Sequence, residues 1–103
     1  MFNILVVEDD PIQRRLMKAV LGRAGYTVHT ASNGREGLEL LDEQHVDLVV
    51  LDVMMPEMDG YEFSRTLRQG DSTLPILMVS AKQTQRDKRE GFLAGTDDYM
   101  TKP

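Results

Sequence analysis

Four groups of polar residues stand directly behind apolar runs, and those are the places where chemistry should be sought. Glu8-Asp9-Asp10 follows Ile4-Leu5-Val6-Val7, and Asp52 follows the run 46–51. Ser80-Ala81 follows Leu74-Pro75-Ile76-Leu77-Met78-Val79, and Lys102-Pro103 follows the short stretch 98–101. Carboxylates gathered in one place repel one another, so some must take up protons or a cation must neutralise them. Hard oxygen ligands without His or Cys select Mg²⁺, with Mn²⁺ as a substitute and Ca²⁺ as a poorer fit. Mg²⁺ keeps several waters and completes its octahedron with phosphate oxygens. A lysine supplies a mobile point charge for phosphate, and a hydroxyl supplies a hydrogen bond. A carboxylate can itself be the nucleophile, giving an acyl phosphate. The set describes reversible phosphorylation of an aspartate.

Each residue also has a simpler account when taken alone. Acidic triplets are usually solvated. Asp10 precedes Pro11 and suits the cap of a helix, with proline at its first position. A strand-terminal Asp such as Asp52 commonly forms a turn. Ser80 could cap a helix, and Lys102 could be an exposed lysine. What favours the chemical reading is their joint placement at four strand ends, because an open α/β sheet binds ligands outside the carboxyl ends of its strands.

That placement depends on the elements. The run 4–7 is apolar throughout and suits a strand buried on both faces. Ile12, Leu16 and Val20, with Met17, Leu21 and Ala24, form one helical stripe that Gly25 can end. Residues 27–31 read as a weaker, more polar strand at a sheet edge, and Ser32-Asn33-Gly34 caps a second helix carrying Leu38 and Leu41. A strongly apolar strand over 46–51 precedes a loop over 54–60 and a helix over 61–68. A strand over 74–79 tolerates its proline only near the start. A helix over 83–94 and a last strand over 98–101 complete the order. Strands alternating with helices in this way form a parallel sheet with helices on both faces.

Composition narrows the classes. The chain has 103 residues, 41% of them hydrophobic and 28% charged, enough for one domain with one core. It has no cysteine, which removes disulfide scaffolds and thiolate metal sites and fits a reducing, cytoplasmic compartment. No apolar run approaches the roughly 20 residues of a membrane helix, and Met1-Phe2-Asn3 leaves no room for a cleaved leader. Seventeen acidic against twelve basic residues give a net charge of -5, which argues against direct contact with nucleic acid. The basic residues are dispersed apart from Arg14-Arg15 and the stretch 82–89, which reads as a solvated helix face.

The segments ILVVEDDP, LVVLDVMMPEMDG, PILMVSA and GTDDYMTKP, in this order and spacing, resemble the receiver domain of bacterial two-component response regulators over the whole chain. The resemblance implies a flavodoxin-like, doubly wound five-stranded parallel sheet of order 2-1-3-4-5. It implies that Asp52 accepts a phosphoryl group from a sensor histidine kinase or a small phosphodonor. Glu8 and Asp9 match the family's acidic pair, Asp9 ligating Mg²⁺ directly and Glu8 through water, with Asp52 and the backbone carbonyl of Met54 as further ligands. Lys102 would pair with the phosphoryl group, beside a cis bond to Pro103, while Ser80 and Tyr99 take the places of the switch hydroxyl and aromatic. Such a domain controls an output domain or a downstream protein and is no enzyme beyond its own phosphorylation and dephosphorylation. Met54 and Lys82 should flank the path of the attacking water, Met54 hindering hydrolysis.

A complete receiver has one more helix after the Lys-Pro turn. The resemblance therefore implies a receiver domain over 1–103 that lacks its C-terminal helix. Apolar surface would be open on the face carrying the first helix, ready for dimerisation or helix exchange. Other readings fit less well. A phosphohydrolase of the haloacid-dehalogenase type needs a DxD motif after the first strand, where this chain has Glu-Asp-Asp. A flavodoxin-like cofactor module needs a Ser/Thr/Gly-rich loop there, and no GxxxxGKS/T or GxGxxG loop occurs. The alternative on the same scaffold is a protein-interaction module that is not phosphorylated, against which Asp52, Ser80 and Lys102 speak.

Overall fold

The computed structural model describes residues 2–52, 60–70, 73–80 and 98–101. Within them run β1 (Asn3–Val7), α1 (Pro11–Arg23), β2 (Thr27–Ala31), α2 (Gly34–Glu43), β3 (Leu48–Asp52), α3 (Gly60–Gln69), β4 (Ile76–Ser80) and β5 (Asp98–Thr101). The strands form one sheet in the order β2-β1-β3-β4-β5, and every neighbouring pair is parallel. This is the order that the resemblance implied. The expected helix over 83–94 lies outside the described residues.

Two strands start later than their apolar runs, for identifiable reasons. Pro75 has no N–H for the ladder, so β4 begins at Ile76, while the Pro75 carbonyl accepts a bond from Val49 N at 3.0 Å. Val46 is buried, but it precedes the ladder of β3. Between them Asp47 clasps the start of β1: its N–H donates to Asn3 O and its Oδ2 accepts from Asn3 N, both at 2.7 Å. Its Oδ1 meets His45 Nε2 at 2.8 Å.

Strand alternation sends the core to both faces. Leu5, Val7, Val49 and Leu51 pack with Phe63 and Leu67 of α3 and with Leu38 and Leu41 of α2. The approach of α2 is close because Gly37 has no side chain. A Cβ there would stand 3.0 Å from Val7 Cγ2 and 3.2 Å from Phe63 Cε2, two side chains that are themselves fully buried. On the other face Ile4, Val6 and Val50 meet Met17 and Leu21 of α1.

The stripe that the spacing on α1 suggests is covered only in part among the described residues. Met17 and Leu21 reach the sheet, whereas Ile12, Leu16 and Val20 are 74%, 62% and 58% exposed. The mean directions of the two sets differ by about 120° around the helix, yet Leu16 and Val20 line the same apolar space beside the sheet as Met17 and Leu21. Between α1 and the sheet residues Val50, Leu77 and Val79 runs an apolar groove of about 310 Å³. α1 ends in a tight backbone wrap: Tyr26 N donates to Leu21 O and Gly25 N to Gly22 O, with Gly25 at a φ of 101° that only glycine adopts without strain. No helix among the described residues is long and apolar enough to cross a membrane.

The Asp47 clasp makes stability depend on pH. The Asn3 N–H, and after it His45, holds the Asp47 carboxyl below its ordinary value of 3.8. A group depressed by folding contributes stability that is present above its unfolded pKa and lost as pH falls through the lower folded value. Melting temperature should therefore drop more steeply below about pH 4 in the wild-type protein than in Asp47→Asn. Parallel melting curves across that range would show that the clasp contributes nothing.

Candidate functional site

Parallel register brings the polar residues behind β1, β3 and β4 to one end of the sheet. Val7 pairs with Leu51, and Asp52 with Val79. Glu8 is held one step beyond β1 by its N–H, which donates to Ala31 O at 3.0 Å. Glu8 and Asp52 are only 2% and 6% exposed, whereas Asp9 is open to solvent. One carboxylate oxygen from each of Glu8, Asp9 and Asp52 lies within 4.8 Å of the others. Burying two acids beside a third is costly without a compensating positive charge.

Asp10, the third member of the acidic triplet, does different work. Its backbone is extended, its Oδ1 accepts from Ile12 N at 2.9 Å, and its carbonyl accepts from Arg14 N at 2.9 Å. It is the N-cap of α1, as Pro11 at the next position suggested. Asp10 N also approaches Glu8 Oε1 at 3.4 Å, a long contact that turns the Glu8 carboxylate toward the loop.

Arg14 carried no role in the sequence reading beyond being one of two adjacent basic residues. Its Nη1 donates to Glu8 O at 2.9 Å and reaches Asp9 O at 3.4 Å. The signal that could have found it is distance along the chain. A long cationic side chain on the first helical turn can fold back over the loop that precedes the helix.

The other expected site residues are placed in part. Ser80 ends β4 and pairs with Thr101, one step beyond the Asp52–Val79 pair, so it stands at the same end of the sheet. Tyr99 pairs with Met78 on the edge strand β5. Lys102 would follow directly on Thr101. Lys102, Pro103, Met54 and Lys82 lie outside the described residues, as does the loop after Asp52. A cavity of about 510 Å³ lined by Leu41, His45, Val46, Leu67 and Leu74 lies at the opposite, amino end of the strands, so size alone does not locate the site.

The donor set fits a small hard cation. Oxygens around an octahedral Mg²⁺ stand about 3 to 4.2 Å apart. Three oxygens within 4.8 Å of one another stand close to that span. Among the described residues no His or Cys joins the three carboxylates.

Comparison with known proteins agrees with this geometry. The response regulator receiver domain family matches residues 4–103. The alkaline phosphatase synthesis transcriptional regulatory protein PhoP of Bacillus subtilis is 48% identical over 101 residues, covering 98% of this chain and 42% of that protein. The chain thus spans about two-fifths of the length of that relative. The receiver domain of the Francisella response regulator 1452 superposes with a TM-score of 0.95 at 33% identity, over 100% of this chain and 85% of that one. Response regulator TrrA of Thermotoga maritima, solved in complex with Mg²⁺–BeF, gives 0.89 at 35% identity, over 100% and 88%. The chain belongs to the response regulator receiver family, the phospho-acceptor domains of two-component systems.

The division of labour within the acidic triplet can be checked. Asp10→Ala should cost about 1 kcal/mol, or roughly 4–8 °C in melting temperature, through loss of the cap. Mg²⁺ titration of that variant should match the wild type. Loss of cation binding in Asp10→Ala would make Asp10 a ligand instead.

Proposed function

We propose that this receiver domain takes a phosphoryl group on Asp52 from a sensor histidine kinase or a small phosphodonor. The observation that carries the reading is the meeting of Glu8, Asp9 and Asp52 within 4.8 Å at the carboxyl end of the sheet. A carboxylate oxygen of Asp52 forms the new bond to phosphorus while the bond to the donor's nitrogen or oxygen breaks. The product is an acyl phosphate, and the electron pair leaves with the donor. In this reading Asp9, Asp52 and the Met54 carbonyl would hold Mg²⁺ directly, and Glu8 would hold it through water. Bound there, the cation would offset charge on the phosphoryl oxygens and on the crowded acids. The buried position of Asp52 keeps bulk water from one side of the acceptor.

The remaining steps belong to the chain. Phosphorylation adds up to about two negative charges and three acceptor oxygens. Lys102 offsets that charge, and Ser80 moves to donate a hydrogen bond. Tyr99 turns into the space Ser80 leaves, which repacks the surface around β5. Only contacts that differ between the two states can shift their populations, and these are the contacts proposed to differ. The domain works as a regulatory acceptor in the cytoplasm rather than as an enzyme acting on other molecules. Its output is control of transcription by a segment outside these 103 residues, as the name of the Bacillus subtilis relative suggests.

The acceptor is tested by incubation with Mg²⁺ and a small phosphodonor, followed by intact-mass measurement. The wild-type protein should gain one phosphoryl group and Asp52→Asn none. Equal labelling of both would move the acceptor elsewhere. We further propose that copies of this 103-residue chain associate through the apolar strip of Ile12, Leu16 and Val20. Sedimentation should show a dimer that Leu16→Glu dissociates, and a wild-type monomer at high concentration would refute it.

A further inference from the structure

The junction between β1 and α1 contains a contact that neither the carboxylate cluster nor the cap of α1 accounts for. An arginine beside three carboxylates ordinarily pairs with one of them, fork to fork. Arg14 does not. The residue is half-buried, and its guanidinium donates to the main-chain carbonyls of Glu8, at 2.9 Å, and Asp9, at 3.4 Å.

We propose that Arg14 is a positioning residue for the cation-binding acids, holding the Glu8 and Asp9 carbonyls so that the Asp9 carboxylate faces Asp52. The inference rests on the Mg²⁺ reading given above. Its argument is an account of what fixes each residue of the loop. Glu8 is the last residue tied to the sheet, through its N–H on Ala31 O. Asp10 is the first tied to the helix, through its cap on Ile12 N and its carbonyl on Arg14 N. Asp9 stands between these two constraints, exposed, and among the described residues Arg14 supplies its hydrogen bond. A side chain's direction follows from its backbone, so the peptide planes on either side of Asp9 decide where its carboxylate points. Arg14 holds the carbonyls of both planes, and its own place is fixed because its N–H closes the first turn of α1.

The choice of carbonyls over carboxylates has a second consequence. A guanidinium bound to Asp9 or Glu8 side-chain oxygens would occupy the atoms a cation needs. Bound to the main chain, it leaves those oxygens available and keeps a positive charge near them. Position and charge then act in opposite directions on cation affinity. As a charge alone, Arg14 repels a second cation, and its removal would tighten Mg²⁺ binding. As a positioning residue, its removal loosens Asp9 and weakens binding. Second-layer partners of metal ligands typically govern affinity by about 10- to 100-fold.

The test is Mg²⁺ titration by calorimetry on the wild type, Arg14→Ala and Arg14→Lys, with amide signals of residues 8–10 followed by NMR. Arg14→Ala should raise the Kd about 10-fold, with large shifts of the Asp9 and Asp10 amides already in the metal-free protein. Arg14→Lys, which can still donate to one carbonyl, should recover most of the affinity. Gly25→Ala, destabilised at the far end of α1, should bind Mg²⁺ as the wild type does, which separates positioning from general loss of stability. Unchanged or tighter binding by Arg14→Ala overturns the proposal. Failure of the wild-type protein to bind Mg²⁺ is a separate result, which refutes the metal reading and this inference with it.

Discussion

Repulsion among carboxylates at one end of the sheet is the constraint that the other features answer. Parallel pairing of β1 with β3 leaves no freedom to separate Glu8 from Asp52, since their strands are in register up to Val7 and Leu51. An isolated exposed triplet would relax by spreading into solvent. Here two of the three acids are nearly dry, so charge must be met from outside the carboxylates themselves. A place where acids are crowded and nearly dry responds strongly to any change of charge beside it.

The loop after β1 shows how the chain holds such a site open. The sheet fixes its first residue, the helix cap fixes its third, and Arg14 closes over the middle. These constraints are main-chain bonds or bonds to the main chain. Arg14 holds the backbone at Asp9 without using the Asp9 carboxylate, so at that residue structure and ligand do not compete for the same atoms.

Much of this could be read from residue order. Apolar runs bounded by Asp, Gly and Pro located the described strands and helices to within about two residues, and the Asp10-Pro11 pair announced the start of α1. Two failures at strand starts are instructive. Pro75 reads as part of an apolar run but cannot give a ladder bond, and Asp47 interrupts another run to make a clasp that periodicity does not encode. The stripe on α1 was legible as one apolar face but not as one left partly exposed, because spacing along a helix reveals a face and not its neighbour. Glu8, Asp9 and Asp52 were legible as a cluster, since strand ends in a parallel sheet must converge. Arg14 was not. Its partners are carbonyls, which every residue possesses, so no pattern of side-chain types marks the pair.

The missing side chain at Gly37 bears on how any movement would travel. There the backbone of α2 lies against Val7, the residue before Glu8, and against Phe63 of α3, with no slack between them. Close-packed interiors transmit displacement and do not absorb it. The α2 flank of the sheet is thus stiff beside the residue that precedes Glu8.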